Sequence, residues 1–426
     1  MKNRMWCIPL FNVPARFAVF AAGAAVLGGL FAGCVRESSA PVAETGAAQD
    51  RADVVAVPAD PAVGEVFAVG PQEHSSSFGI YNTSPESPDG SRIAYVRFTQ
   101  EPEDPKDGRP GELWVCDTDL THHRKVRNMG PVRPHNGSQV FWGNDHTLIY
   151  QTPYDAEPPC ELHVVDAETG EDRFAPIPGA LAVSHDVHEQ KILFATDKRA
   201  DGTAWRPAGI YELDLRTGEI RSILTLEALN ALKPSIPSAA LDAKGLYPDE
   251  GWHFFHLMYS PEGSHIAFRL DIGKQTASRL RVVMTSDGQQ VYFLDNPLLH
   301  FCFYDDDTMA GHDRRPGHEL LPVRYTVDGT FIETLAEIPG NHFAISPDRQ
   351  GFASETDYGS DPVVLHYYHA GDSEPRLTLA TFSPQDVVWE KRFHVNPAFS
   401  RDGKRLYFHM PTADGRNGTY VAIVEP

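Results

Sequence analysis

Apolar residues along most of this chain come in short runs, each too brief for a helix and each bounded by a tight polar turn. The clearest turns are Ser87-Pro88-Asp89-Gly90, Ser260-Pro261-Glu262-Gly263, Ser346-Pro347-Asp348-Arg349 and Ser400-Arg401-Asp402-Gly403. Each leads into a strand-like run: Arg92-Ile93-Ala94-Tyr95-Val96, His265-Ile266-Ala267-Phe268, Gly351-Phe352-Ala353 and Arg405-Leu406-Tyr407-Phe408. Pro presets the φ angle of the first turn residue, and Gly accepts the left-handed conformation that closes it.

Weaker copies fill the gaps. Trp142-Gly143-Asn144-Asp145 precedes Thr147-Leu148-Ile149-Tyr150, the stretch from Ser184 to Gln190 precedes Lys191-Ile192-Leu193-Phe194, and Tyr304-Asp305-Asp306-Asp307 precedes Thr308-Met309-Ala310. Third strands are visible at Glu112-Leu113-Trp114-Val115, Glu161-Leu162-His163-Val164-Val165 and Gly209-Ile210-Tyr211-Glu212-Leu213. The unit repeats every roughly 42–55 residues, with one longer gap, which is the spacing of four-stranded propeller blades. Seven units are countable, so the predicted fold is all-β, a seven-bladed β-propeller of four-stranded antiparallel blades. Six or eight blades are the alternative counts. The last unit reaches Pro426 one strand short, and Val66-Phe67-Ala68-Val69 is expected to supply it, which would remove an exposed sheet edge. The longer gap, Leu226 to Trp252, contains Pro234, Pro237 and Pro248 and reads either as a binding loop or as surface decoration.

Composition changes this picture little. Of 426 residues, 41% are hydrophobic and 10% aromatic, as expected of a globular chain. The net charge of −21 and the lack of a basic stripe exclude a nucleic-acid binder. They leave room for an anionic ligand at a local basic cluster. Cys116, Cys160 and Cys302 match no metal motif and read as buried apolar residues.

The N-terminal segment stands apart. Lys2, Arg4 and Arg16 precede an uncharged stretch, Phe17 to Gly33, which ends in Phe31-Ala32-Gly33-Cys34. Small residues before a cleavage point mark a signal peptide. The cysteine that follows resembles a bacterial lipobox, with Phe31 in place of the usual leucine. The alternative is an uncleaved membrane anchor. The expected layout is therefore 1–33 lipoprotein signal, 34–62 flexible tether and 63–426 propeller. Cys34 would be lipidated, and the protein exported and membrane-anchored with its propeller facing the periplasm or the cell surface. A monomer is expected.

Propeller ligands usually sit where the inner strands begin. Counting back four residues from each turn gives His256, His300, His342 and Asn396 in the last four units, and Thr83, Ser138 and Ala180 in the first three. With 19 histidines in 426 residues, three on one register is unlike chance. His394 lies two residues before Asn396, on the same face if the segment is extended. Such a set is expected either to converge on a transition metal or to hydrogen-bond neighbouring blades. Arg97, Arg199, Arg269, Lys274, Arg314 and Arg315 fall in the expected loops after the second strands on the same face. Histidines off the register, His163 and His312 among them, read as surface or turn residues.

The turn-and-strand repeats resemble those of TolB-type propellers. The register segments resemble the oligogalacturonate lyase family of seven-bladed propellers. They are Phe255-His256-Leu257-Met258-Tyr259-Ser260, Leu299-His300-Phe301-Cys302-Phe303, Asn341-His342-Phe343-Ala344-Ile345-Ser346 and Arg392-Phe393-His394-Val395-Asn396-Pro397-Ala398-Phe399-Ser400. The resemblance covers chiefly residues 250–426. It implies a divalent metal, manganese in that family, held at His300, His394 and Asn396, with His342 and Lys391 as further ring members. Asn396 stands where the family has a histidine, and Lys391 where it has a glutamine. His256 matches the family histidine linked to the catalytic step, while the arginine the family places upstream of it has no counterpart between Ser222 and Phe268. The implied activity is β-elimination on uronate-containing oligosaccharides, with an acidic oligosaccharide as partner. A non-catalytic propeller binding glycan or protein is the alternative.

Overall fold

The computed structural model describes residues 65–101, 108–132, 139–152, 160–196, 206–231, 252–272, 279–294, 298–313, 319–356, 360–372, 374–387 and 394–424. Residues 1–64, with the expected signal segment, Cys34 and the expected tether, lie outside the described residues. No helix among them is long and apolar enough to cross a membrane.

Among the described residues, twenty-eight strands form seven four-stranded antiparallel sheets. Blade one holds Ser76–Ser77, Arg92–Phe98, Arg109–Asp117 and Arg124–Val132. Blade two holds Phe141–Asn144, Thr147–Thr152, Glu161–Asp166 and Ile177–Pro178, and blade three Ala180–Val183, Lys191–Thr196, Gly209–Asp214 and Ile220–Thr225. Blades four and five run from Trp252–Tyr259 to Val291–Leu294 and from Leu298–Phe303 to Phe331–Thr334. Blade six runs from Phe343–Ile345 to Leu377–Phe382. Blade seven takes Ala398–Phe399, Arg405–Pro411 and Asn417–Ile423 from the C-terminus, and its fourth strand, Val66–Ala68, from the N-terminus. That closing strand pairs Val66 with Ala422, Phe67 with Val421 and Ala68 with Tyr420, as the incomplete last repeat required.

The repeated turns have a simple cause. The Ser87 hydroxyl accepts from the Arg92 amide at 3.0 Å and donates to Asp89 at 2.5 Å. Ser346 and Ser400 repeat this with Gly351 and Asp348, and with Arg405 and Asp402. Ser260 accepts from His265 at 3.0 Å. The side chains thus satisfy the backbone groups that the sharp turn leaves unpaired. Gly90, Gly263 and Gly403 take φ of +71°, +74° and +76°. Blade six places Arg349 there instead, at φ +65°.

Second strands are largely buried, and Thr147–Thr152 and Thr308–Asp313 are buried from end to end, because blades cover both of their faces. The core is accordingly a ring of inter-blade clusters. Leu193, Phe254, Phe268 and Val282 pack blade three on blade four, and Met258, Phe301, Phe343 and Tyr368 pack blades four to six. Burial of one such side chain contributes roughly 2 kcal/mol. Cys116, Cys160 and Cys302 are free thiols in this core.

The longer gap opens with a short helix, Leu226–Ala231. Residues 232–251 lie outside the described ones. Two histidines read as surface residues are in fact buried: His163 stacks on Tyr150 at 4.7 Å, and His312 lies 3.0 Å from the Ser354 hydroxyl. Both stand on strands covered by a neighbouring blade, which a turn-based reading does not register.

Candidate functional site

The register residues come together near the propeller axis. The rings of His256 and His300 are 6.3 Å apart, those of His300 and His342 stack at 4.1 Å, and those of His342 and His394 lie at 4.6 Å. Antiparallel blades around one axis bring equivalent strand starts to one point, which is why a spacing of one blade in sequence becomes contact in space. Lys391 lies outside the described residues.

Three of these residues sit in left-handed backbone. His256 has φ +50°, His300 +48° and Asn396 +48°. Bulges between Phe255 and Met258 and between Leu299 and Cys302 accompany the first two. A non-glycine residue pays about 1 kcal/mol or more for this conformation. Its recurrence on one register marks a geometry that the blades hold in common. The same conformation identifies the blade-two member as Gln139, at φ +50° and buried. The expected position was Ser138. The strand shifts register between Trp142 and Asn144, which displaces a count made from the turn by one residue.

Hydrogen bonds fix two of the imidazoles. His300 donates from Nδ1 to the Asn341 carbonyl at 2.9 Å, so its Nε2 carries the lone pair. His342 donates from Nδ1 to the Glu355 carboxylate. Its Nε2 then accepts, and His394 Nδ1 lies 3.0 Å from it. Glu355, 3% exposed, is held in turn by the Val395 amide at 3.0 Å and the Asn341 amide group at 3.3 Å. An imidazole oriented through Nδ1 by a carboxylate or a carbonyl is the usual support of a metal-ligating histidine.

Sequence reasoning passed over Glu355, Tyr81 and His185. Tyr81, 1% exposed, stands at the centre of the ring. Its ring lies 5.8 Å from His256, 5.3 Å from His300, 5.1 Å from His342 and 5.7 Å from His185. Its hydroxyl is 3.3 Å from His256 Nδ1. Blade one has an inner strand of only two residues, Ser76–Ser77. The chain then turns inward to blades six and seven: the Asn82 amide donates to the Pro397 carbonyl at 2.8 Å, and Asn82 Oδ1 accepts from the Ile345 amide at 3.1 Å. A turn-based register points to Thr83 and misses this departure.

Electrostatics keep His256 and His300 neutral. Burial, then the positive charge of Arg269, holds His256 well below the usual imidazole value, and burial does the same to His300. Arg269 belongs to the second strand of blade four, His265–Ile272, rather than to a loop. Its register partner is Phe255, next to His256, and its guanidinium carbon lies 4.5 Å from the Phe255 ring. It therefore brings a cation to His256 that the sequence upstream lacks. Arg97 also stands in a strand, where Glu112 pairs it at 2.7 Å. Arg199, Lys274, Arg314 and Arg315 lie outside the described residues.

The donor set suits a divalent cation. Ligand atoms of His342, Glu355 and His394 lie within 4.8 Å of one another. Two nitrogens bound at right angles to one ion, each at about 2.1 Å, stand about 3 Å apart, and His342 Nε2 and His394 Nδ1 are 3.0 Å apart. Asn396 is 1% exposed, and its Nδ2 has no hydrogen-bond partner among the described residues. A buried amide left this way suits a further ligand, since the two ends of the amide exchange by a flip.

The sequence matches no protein-family profile and no curated protein sequence. Structural neighbours include oligogalacturonate lyases. One, in complex with manganese, is 16% identical and superposes with a TM-score of 0.58 over 85% of this chain and 93% of its own. Another, from Vibrio parahaemolyticus, is 15% identical with a TM-score of 0.59 over 85% and 94%. TolB from Acinetobacter baumannii is similar over 78% of this chain and 80% of its own, at 12% identity and a TM-score of 0.40. At these identities the likeness to the two lyases shows the propeller fold alone.

Proposed function

We propose that the protein is a metal-dependent lyase that cleaves acidic oligosaccharides by β-elimination, displayed outside the cytoplasm on a lipid anchor at Cys34. The observation that carries this reading is the histidine cluster itself. Two imidazoles, His300 and His342, are locked through Nδ1, and a third, His394, lies beside the second. The manganese-bound oligogalacturonate lyase with the same fold supports a divalent metal here. His342 and His394 would hold it, with His300 and Asn396 beside them, and Glu355 would orient His342. When bound, the metal supplies a Lewis acid for the substrate carboxylate.

The chain's own residues do the rest. Neutral His256 is the base: a nitrogen lone pair takes the proton from the carbon next to the carboxylate. The electron pair of that C–H bond forms the new C=C bond as the glycosidic C–O bond breaks. The leaving oxygen gains a proton from water. Tyr81 sets the orientation of the His256 ring through Nδ1. Arg269 offers positive charge beside His256 to attract the uronate carboxylate.

The test is metal analysis combined with turnover. The mature protein, stripped with EDTA and reloaded, is expected to bind about one manganese per chain. With uronate oligomers it should produce the ultraviolet absorbance of an unsaturated uronate. His394→Ala should abolish both. Absence of bound metal and of new absorbance would instead leave a non-catalytic glycan- or protein-binding propeller.

A further inference from the structure

Three residues beyond each register position, the inner strands carry a second ring. His256 is followed by Tyr259, His300 by Phe303, His342 by Ile345 and Asn396 by Phe399. All four line a cavity of about 230 Å³. The cavity also reaches Pro261, Pro347, Ser400 and Arg401, so it lies toward the turns that end the inner strands. His185, which lines the cavity, lies 5.5 Å from the His256 ring and 5.7 Å from Tyr81.

The wall also carries charge, and it does so where the turn motif departs from its own rule. Blade seven places Arg401 where the other three clear turns have Pro88, Pro261 and Pro347. Blade six places Arg349 where they have glycine, at φ +65°. Both arginines line the cavity. Local rules broken at a cost are expected at functional sites. Arg401 is held at this mouth from blade one: its amide donates to Glu86 Oε2 at 3.1 Å and its Nε to the Glu86 carbonyl at 3.3 Å. Arg349 donates from Nη1 to the Ser346 and Pro347 carbonyls at 3.1 and 3.2 Å. Facing them is Asp186 of blade three, whose carboxylate accepts from the Tyr259 amide at 3.3 Å.

We infer that this cavity is a second ligand site, distinct from the histidine ring, for a single small sugar acid. Its size exceeds the roughly 150 Å³ that admits a benzene ring, so a six-membered sugar ring fits. Tyr259, Phe303 and Phe399 present apolar faces of the kind that pack against the C–H faces of a pyranose. The two guanidiniums match a carboxylate. Asp186 and Asn82 are the groups that meet hydroxyls, and burial pushes the Asp186 carboxyl up to about 7, where it both donates and accepts. Tyr259 is itself pinned by its hydroxyl bond to Glu212 at 3.0 Å, which preforms the wall. The inference needs neither metal nor catalysis at the ring.

The experiment is calorimetric titration of the mature protein with D-galacturonate in EDTA, with galactose as the uncharged comparison. Saturable galacturonate binding is expected, at least tenfold tighter than galactose. Arg401→Gln, a change at an exposed turn, should weaken it at least tenfold, and His394→Ala should leave it unchanged. Thermal melting confirms that each variant folds. Absence of saturable binding, or binding that survives Arg401→Gln and disappears in His394→Ala, overturns the second site. Neither result bears on manganese uptake or on product absorbance, so the lyase reading stands or falls separately.

Discussion

Glu355 has the narrowest tolerance among the residues at the ring. It accepts from His342, Asn341 and Val395 while almost fully buried. Glu355→Gln keeps the shape but replaces one acceptor with a donor facing the His342 Nδ1–H. Metal affinity is expected to fall about 10- to 100-fold, as for other changes that unsettle a ligand's support; manganese titration measures it. His185 and Asp186 pull pH dependence in opposite directions. Burial holds the His185 pKa down to about 4 and pushes that of Asp186 up to about 7. The unfolded chain therefore takes up a proton at His185 that the fold refuses, and stability is lost as pH falls from about 6.5 toward 4. Folded Asp186 keeps its proton, and its contribution is lost as pH rises from about 4 through 7. Asp186→Asn removes the second effect. The melting temperature of the variant, relative to the parent, should be higher at pH 7.5 than at pH 4.5. In free energy the difference is on the order of 3 kcal/mol. Equal offsets at both pH values would show that Asp186 titrates normally.

Among the elements, the junction of blades one and seven is the most exposed to damage. Glu86, fully buried on blade one, accepts from Arg405 Nε at 2.7 Å and the Tyr407 hydroxyl at 2.5 Å, both on blade seven. Glu86→Ala leaves these donors without their carboxylate and should cost about 3–5 kcal/mol, visible in denaturant unfolding. A loss below 1 kcal/mol would mean that the junction rests on apolar packing alone. Deletion of residues 65–69 removes the closing strand and bares the Asn417–Ile423 edge. It is expected to lower the melting temperature and to promote aggregation, read by light scattering during the melt. The blades themselves were legible because serine-led turns recur and satisfy their own backbone. The ring register was legible in blades four to seven because the stretch from strand start to turn keeps one length there, from His256 to Ser260, His300 to Tyr304, His342 to Ser346 and Asn396 to Ser400. Blade two slipped by one residue because its bulge is invisible in the composition of Trp142-Gly143-Asn144. Blade one was missed because its inner strand ends after Ser77, and nothing in Phe78 to Thr83 says that the chain will turn inward.

For the whole molecule, closure of the ring turns local sites into shared ones. Residues from blades one, three, four, five, six and seven meet within one channel. A ligand at the ring therefore ties several blades together. Manganese at 100 times its dissociation constant should stabilise the fold by about 2.7 kcal/mol, raising the melting temperature by a few degrees, and His342→Ala should remove that gain. An equal rise in His342→Ala would place the ion elsewhere.

The sequence alone determined what depends on near neighbours: strand length, turn chemistry, the number of blades, the strand borrowed from Val66–Ala68, and the recurrence of histidine at one point of the repeat. These are set by backbone hydrogen bonding and apolar spacing within a few residues, so they survive in a linear reading. Tertiary structure decided what depends on the axis. It set Tyr81 among four histidines, brought Glu355 to His342 from the next strand, and moved Arg269 from a supposed loop to the side of His256. It also gathered Arg349 and Arg401 around one cavity. Contacts across the axis join residues up to hundreds of positions apart, and only the closing of seven twisted blades into a ring gives them a distance.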